Sequence, residues 1–245
     1  MTDGGLLSGV LPTVIGAFCG WISGGVGGFF SARHEKKKAV HQREKEVSVY
    51  SEPLAHAAFD LQSRIYNIVE RHFMNHFYVH GDERTREYCV ENTEFLISQL
   101  FCWFELTRQE LYYIELQNEK DTRQLLHLQD NVQTLWGTDK TKYHGIFCLF
   151  AGEQRAIGEN LIIRRDGSSS CMGFAQFMDT FPPGKNKQID ILREEISKLG
   201  ANEHLARVRL IDIQNLLIDL LALLDPKFLR FPQKSRQKMQ LRNAR

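Results

Sequence analysis

The stretch Gly4–Ala32, GGLLSGVLPTVIGAFCGWISGGVGGFFSA, carries no formal charge, and the basic run Arg33-His-Glu-Lys-Lys-Lys38 follows it directly. A helix that crosses a hydrocarbon core needs roughly 20 mostly apolar residues, because unpaired backbone cannot face lipid. Val10–Phe30 supplies 21, of which 12 are apolar and six are glycine. Gly costs about 1 kcal/mol against Ala in a water-exposed helix. The stretch is therefore poor material for a helix in water, whereas lipid enforces the helical state. It reads as a single membrane span. The competing reading is a flexible, glycine-rich segment that does not span.

Gly16, Gly20, Gly24 and Gly28 recur every four residues and share one slowly drifting face, which Ala32 extends. Such spacing lets two helix backbones approach closely and predicts a homo-oligomer packed through the span. Lys and Arg at Arg33, Lys36, Lys37, Lys38, Arg43 and Lys45 follow the stretch, and only Asp3 precedes it. The positive-inside rule then places the short N-terminus outside and the C-terminal body in the cytoplasm, with Arg33, Lys36, Lys37 and Lys38 on the membrane surface. A cleaved secretory signal fits badly, since the basic residues lie on the wrong side of the apolar run.

The formal net charge of +1 hides a strong asymmetry. Residues 1–32 carry −1, 33–46 carry +3, 47–225 carry −8 and 226–245 carry +7. Five cysteines, an odd number without a CxxC pair, argue against a disulfide framework or a zinc site. The expected organisation is a span over 1–32, a basic helical stalk over 33–50, a helical bundle over 51–225 and a basic tail over 226–245. The fold class is all-α.

Within the body, Ser51-Glu-Pro53 is a helix-start signal. Leu54, Ala58, Leu61, Ile65, Ile68, Val69 and Phe73 follow at helical spacing, so a helix is expected to run to about Val79. A strongly aromatic second helix is expected over 84–116, buried on nearly all faces between Phe95 and Phe104, and a third over 119–136. Residues 145–163 are read as a helix thinned near Gly152, because no partner of similar quality exists for a strand at Ile146–Phe150. Arg164–Ser170 reads as a loop, Met172–Phe181 as a short helix, and Lys187–Leu199 as a helix ended by Gly200. Asn202 caps a last helix over 203–224, on which Asp212, Asn215 and Asp219 form a polar stripe preceded by Arg209.

Few residues suggest chemistry. His72, His76 and His80 lie at i, i+4, i+8, a spacing that can hold a metal or sense pH, although HExxH is absent. Glu153 and Arg155 stand beside Gly152 and could hold an anionic ligand; such a pair more often fixes helices together. Glu194-Glu195 reads as a solvated helix face. The Gly-Ser-Ser-Ser170 run lacks the phosphate-loop pattern, and no Ser or Cys has the context of a nucleophile. No cofactor is implied.

The reading that follows is a membrane-anchored interaction or sensing protein, in its sharper form a membrane-acting effector. Its partners are the lipid bilayer, further copies of itself and a protein that the sequence does not identify. One rival is a helical enzyme or metal protein using the histidine face or Glu153/Arg155. Another is a nucleic-acid binder using the tail, which otherwise is solvated chain, contacts the membrane or docks on the acidic body.

Overall fold

The computed structural model describes residues 49–110 and 119–241. The chain divides into two units, Met1–Glu46 and Val47–Arg245, and everything described belongs to the second. The expected span with its glycines Gly16, Gly20, Gly24 and Gly28, and the basic residues Arg33, Lys36, Lys37 and Lys38, lie outside the described residues. Among the described residues no helix is long and apolar enough to cross a membrane.

The body is a helical bundle with one small hairpin. Helix α1 occupies 49–71 and buries Leu54, Ala58, Leu61, Ile65, Ile68 and Val69, the residues set at helical spacing. It does not run on to Val79. His72 takes a left-handed backbone conformation (φ 52°), and a π-helical turn, Met74–Val79, follows. Gly81 then turns the chain where a Cβ would stand 2.2 Å from the Phe77 carbonyl oxygen, so no larger residue fits. Asp82 opens helix α2 (Glu83–Glu110), accepting the Thr85 N–H at 2.9 Å on its carboxylate.

Helix α2 is the central element. Phe95, Ile97, Leu100, Phe101, Cys102, Trp103, Phe104 and Leu106 are all buried, as its all-round apolar pattern requires. Ser98, Thr93, Glu94 and Glu105 are buried with them. Helix α3 (Glu119–Gly137) contributes Leu125, Leu128, Val132 and the fully buried Trp136.

The expected helix over 145–163 is replaced by three different structures. His144, Gly145 and Phe147 all have positive φ (55°, 62° and 55°), which no α-helix accommodates. The connector is held instead by the Leu149 N–H donating to the Trp136 carbonyl at 3.1 Å, with the Phe147 ring 6.1 Å from that of Trp136. Helix α4 is short, Ala151–Asn160. Strands β1 (Ile162–Arg165) and β2 (Ser168–Cys171) then form an antiparallel hairpin in the register Ile162–Cys171 to Arg165–Ser168, so Arg164–Ser170 is not a loop. Asp166 and Gly167 both take positive φ (49° and 76°), the tight turn that suits a right-twisted hairpin.

Helix α5 (Phe174–Thr180) precedes α6 (Lys187–Leu224). Asn186 caps α6 by accepting the Gln188 and Ile189 N–H groups. The helix runs through Gly200, which was expected to end it, and breaks at Asn202 (φ −131°, ψ 32°), expected as the cap of the next helix; the Asn202 side-chain amide donates back to the Lys198 carbonyl at 2.9 Å. Beyond Asp225 the chain returns as a strap over 226–241 that crosses α1 and α6 and buries Phe231 and Met239.

Candidate functional site

The two constellations singled out from sequence are not assembled into sites. His72, His76 and His80 are exposed, and the left-handed break at His72 removes the regular helical face that an i, i+4 metal pair needs. His72 Nδ1 instead lies 3.7 Å from Glu203 of α6. No group of three or more His, Cys, Asp or Glu able to hold a metal ion occurs among the described residues. Glu153 and Arg155 serve separate partners. Glu153 accepts the Phe150 N–H at 2.8 Å and so caps α4, while the Arg155 Nε lies 3.9 Å from the buried Glu105 of α2.

Most of the body's buried ionisable groups join elements distant in sequence. Arg207 reaches from α6 to the Val69 carbonyl (2.9 Å) and Glu70 (3.2 Å) at the end of α1. Arg209 is fully buried and donates to the carbonyls of Leu135, Trp136 (3.0 Å) and Thr138 (2.8 Å), satisfying the open C-terminus of α3. Tyr143 and Lys142 bond Asp212 at 2.9 and 3.2 Å. Glu195 is not solvated: it accepts the Cys148 N–H at 3.1 Å and pairs with Lys198. Glu94 is fully buried against Arg193 (3.0 Å), which also holds Asp190 (2.6 Å) and the Phe181 carbonyl (3.1 Å). Burial pushes the Glu94 carboxyl up to about 8 against the opposing pull of Arg193, and one of its oxygens has no hydrogen-bond partner.

Three of the thiols, Cys89, Cys102 and Cys148, are shifted away from the thiolate. Burial pushes Cys89 up to about 11, and Cys148 is raised by burial too. Contact with the Cys171 thiol, together with burial, raises Cys102. A nucleophilic cysteine needs the opposite environment.

Of the readings of the basic tail, docking on the body is the one seen over residues 226–241. Two residues of the polar stripe of α6 hold it: the Asn215 amide donates to the Met239 carbonyl (3.1 Å) and Asp219 pairs with Lys238, while the neighbouring Gln214 amide donates to the Gln237 carbonyl (3.0 Å). From α1, the Gln62 amide donates to the Ser235 carbonyl at 3.2 Å. At the root of the strap, the Asp225 carboxylate is 2 % exposed and receives the N–H groups of Leu229 (2.9 Å), Arg230 (3.2 Å) and Phe231 (3.1 Å) as well as the Arg236 guanidinium. Burial alone would raise its pKa, but these donors outweigh burial and hold the carboxyl below its ordinary range.

Between α1 and the strap lies a cleft of about 280 Å³ lined by Gln62, Ser63, Tyr66, Asn67, Lys234, Ser235 and Gln237. No carboxylate, histidine or cysteine lines it, and it offers amide, hydroxyl, phenol and ammonium contacts. No family model matches the chain, and neither a curated protein nor a solved structure matches it.

Proposed function

We propose that the chain is a single-span membrane protein, N-terminus outside, whose cytoplasmic helical body is an interaction or sensing module and whose copies associate through the glycine face of the span. The observation that carries this reading is the uncharged Gly4–Ala32 stretch with its four-residue glycine period, bordered by Arg33, Lys36, Lys37 and Lys38. The chemistry of the body supports a binding rather than a catalytic role. Glu94, Glu105, Arg193, Arg209, Asp225 and Arg236 contact other parts of the body instead of converging on a cleft.

Membrane fractionation with a carbonate wash, followed by crosslinking, tests both halves of the reading. The chain is expected to stay with the membrane and to crosslink above the monomer. Gly20→Leu with Gly24→Leu is expected to keep it there while collapsing the crosslinked ladder. Release by carbonate overturns the span, and an unchanged ladder overturns the glycine interface.

A further inference from the structure

We infer that the turn at 227–230 is a preformed membrane-contact loop, which sets Leu229 and Phe228 into the interface of an anionic leaflet while Lys227 meets its headgroups. The inference rests on the membrane reading above and deepens it, giving the body its own contact with lipid.

The turn is built to expose apolar side chains. Leu229 is 77 % exposed, the most exposed large apolar residue among those described, and its neighbour Phe228 is 43 % exposed. Isolated apolar residues on a surface mean little; Phe228 and Leu229 are adjacent and their backbone is fixed. The N–H groups of Leu229, Arg230 and Phe231 all converge on the buried Asp225 carboxylate, and that of Phe228 donates to the Asp225 carbonyl at 3.2 Å. Phe231 anchors the far side, stacked 4.4 Å from the Phe59 ring and edge-on 4.9 Å from His56. Phe228 itself has φ 54°, a left-handed conformation that glycine adopts freely and a bulky residue adopts only when its surroundings enforce it. A loop meant only for water would gain from Gly at 228 and a polar residue at 229. Instead the strain is borne with aromatic and aliphatic side chains in place, and the Arg236 guanidinium lies 4.8 Å from the centre of the Phe228 ring to hold it.

Position and charge say what covers the loop. It sits beside the start of α1: Arg230 bonds Glu52 at 2.8 Å, and Val49 at that end is 53 % exposed. In the sequence the basic segment 33–46 comes shortly before α1. Residues 47–225 carry −8 and would be repelled by an anionic leaflet, whereas the strap over 226–241 that bears the loop carries Lys227, Arg230, Lys234, Arg236 and Lys238 and no acid. An apolar tip flanked by cations is the composition of an interfacial element.

The test places a reporter at the tip. Leu229→Trp in the full chain is reconstituted into vesicles of phosphatidylcholine containing phosphatidylserine. Its emission is compared with that of the unsubstituted chain, with and without lipid brominated in the acyl chains. The emission added by the new tryptophan is expected to be blue-shifted and to lose about half its intensity to the brominated lipid, and to lose much less in the Lys227→Glu, Lys234→Glu background. Added emission that stays red and unquenched while the chain remains in the vesicles overturns the loop and leaves the span standing. Quenching that persists on a chain which carbonate strips from the vesicles supports the loop and overturns the span. A chain absent from the vesicles overturns both.

Discussion

Arg236 and Asp225 form an ion pair in which each side chain is only 2 % exposed, and it ties the returning strap to the end of α6. Arg236 also donates to the carbonyls of Leu221 (3.2 Å) and Asp225 (2.9 Å), so the guanidinium closes the last turn of the helix as well. Removing one partner of a buried pair leaves the other charge uncompensated, at a cost of about 3–5 kcal/mol. Arg236→Met is therefore expected to lower the denaturation midpoint strongly, measured by urea titration of the full chain in detergent. Limited trypsin digestion is expected to cut first at Lys234 and Lys238, because the strap has lost its root. Asp225→Asn is expected to have a similar effect. The pair also sets an acid limit. The folded carboxyl titrates below its unfolded value, so its contribution is present above the unfolded pKa of 3.8 and is lost as pH falls through the lower folded value.

Gly158 of α4 crosses α2 so closely that an added Cβ would stand 2.6 Å from the Phe101 carbonyl oxygen and 3.1 Å from the Cys102 nitrogen. Replacing a glycine inside a helix by alanine normally stabilises by about 1 kcal/mol. Here the obstruction is backbone on both sides and cannot swing away. Gly158→Ala is expected to reverse the sign and destabilise by about 1–3 kcal/mol, the range for overpacking a close contact. Gly152, with nothing within 4 Å of its added Cβ, is the control at which alanine is expected to stabilise.

These two positions show what was legible in advance. The cores of α1 and α2 follow from apolar spacing alone, because each helix buries a face whose period is local. The hairpin did not, because Ser168–Cys171 has no β-branched residue to mark it as a strand. Its pairing with Ile162–Arg165 is directed by the two left-handed residues of the Asp166-Gly167 turn. The break at His72 is a left-handed conformation that histidine adopts more often than most residues, but the apolar spacing that continues to Phe73 masked it. The stripe Asp212, Asn215, Asp219 was visible as polar, but its partners Tyr143, Met239 and Lys238 come from other segments. Glu94 could not be matched to its partner from sequence, because Arg193 lies on another helix, whereas Glu105 has a partner three residues along its own helix, Arg108, besides Arg155 of α4.

Arg209 stands at the join of α3, α6 and the 138–143 connector, with its guanidinium 4.8 Å from the centre of the Tyr143 ring. Its three carbonyl acceptors require a planar, forked donor. Arg209→Lys retains the charge but supplies one compact ammonium, so at least one carbonyl is left unpaired. Each lost bond to a charged donor costs about 1.5–3 kcal/mol. The expected outcome is a lower midpoint in urea for Arg209→Lys and a larger loss for Arg209→Met, with hydrogen exchange accelerated at the C-terminal turn of α3.

Glu94 makes the body's stability depend on pH in the direction opposite to Asp225. Its folded pKa, about 8, lies above the ordinary 4.5 of an unfolded glutamate, so the folded state keeps a proton that the unfolded state releases. Below 4.5 both states are protonated and the protonated carboxyl carries no penalty. As pH rises from 4.5 towards 8 the unfolded state alone ionises, and stability falls by up to about 1.4 kcal/mol per pH unit. Above 8 both states are ionised and the fall stops. Glu94→Gln keeps the shape and a hydrogen-bonding oxygen for Arg193, which also retains Asp190 and the Phe181 carbonyl. The substitution is expected to be close to neutral at pH 5 and stabilising at pH 8. Thermal midpoints measured from pH 5 to 8 are expected to slope downward less steeply in the variant. Parallel curves for the two proteins would mean that Glu94 is ionised throughout and that Arg193 fully compensates its burial.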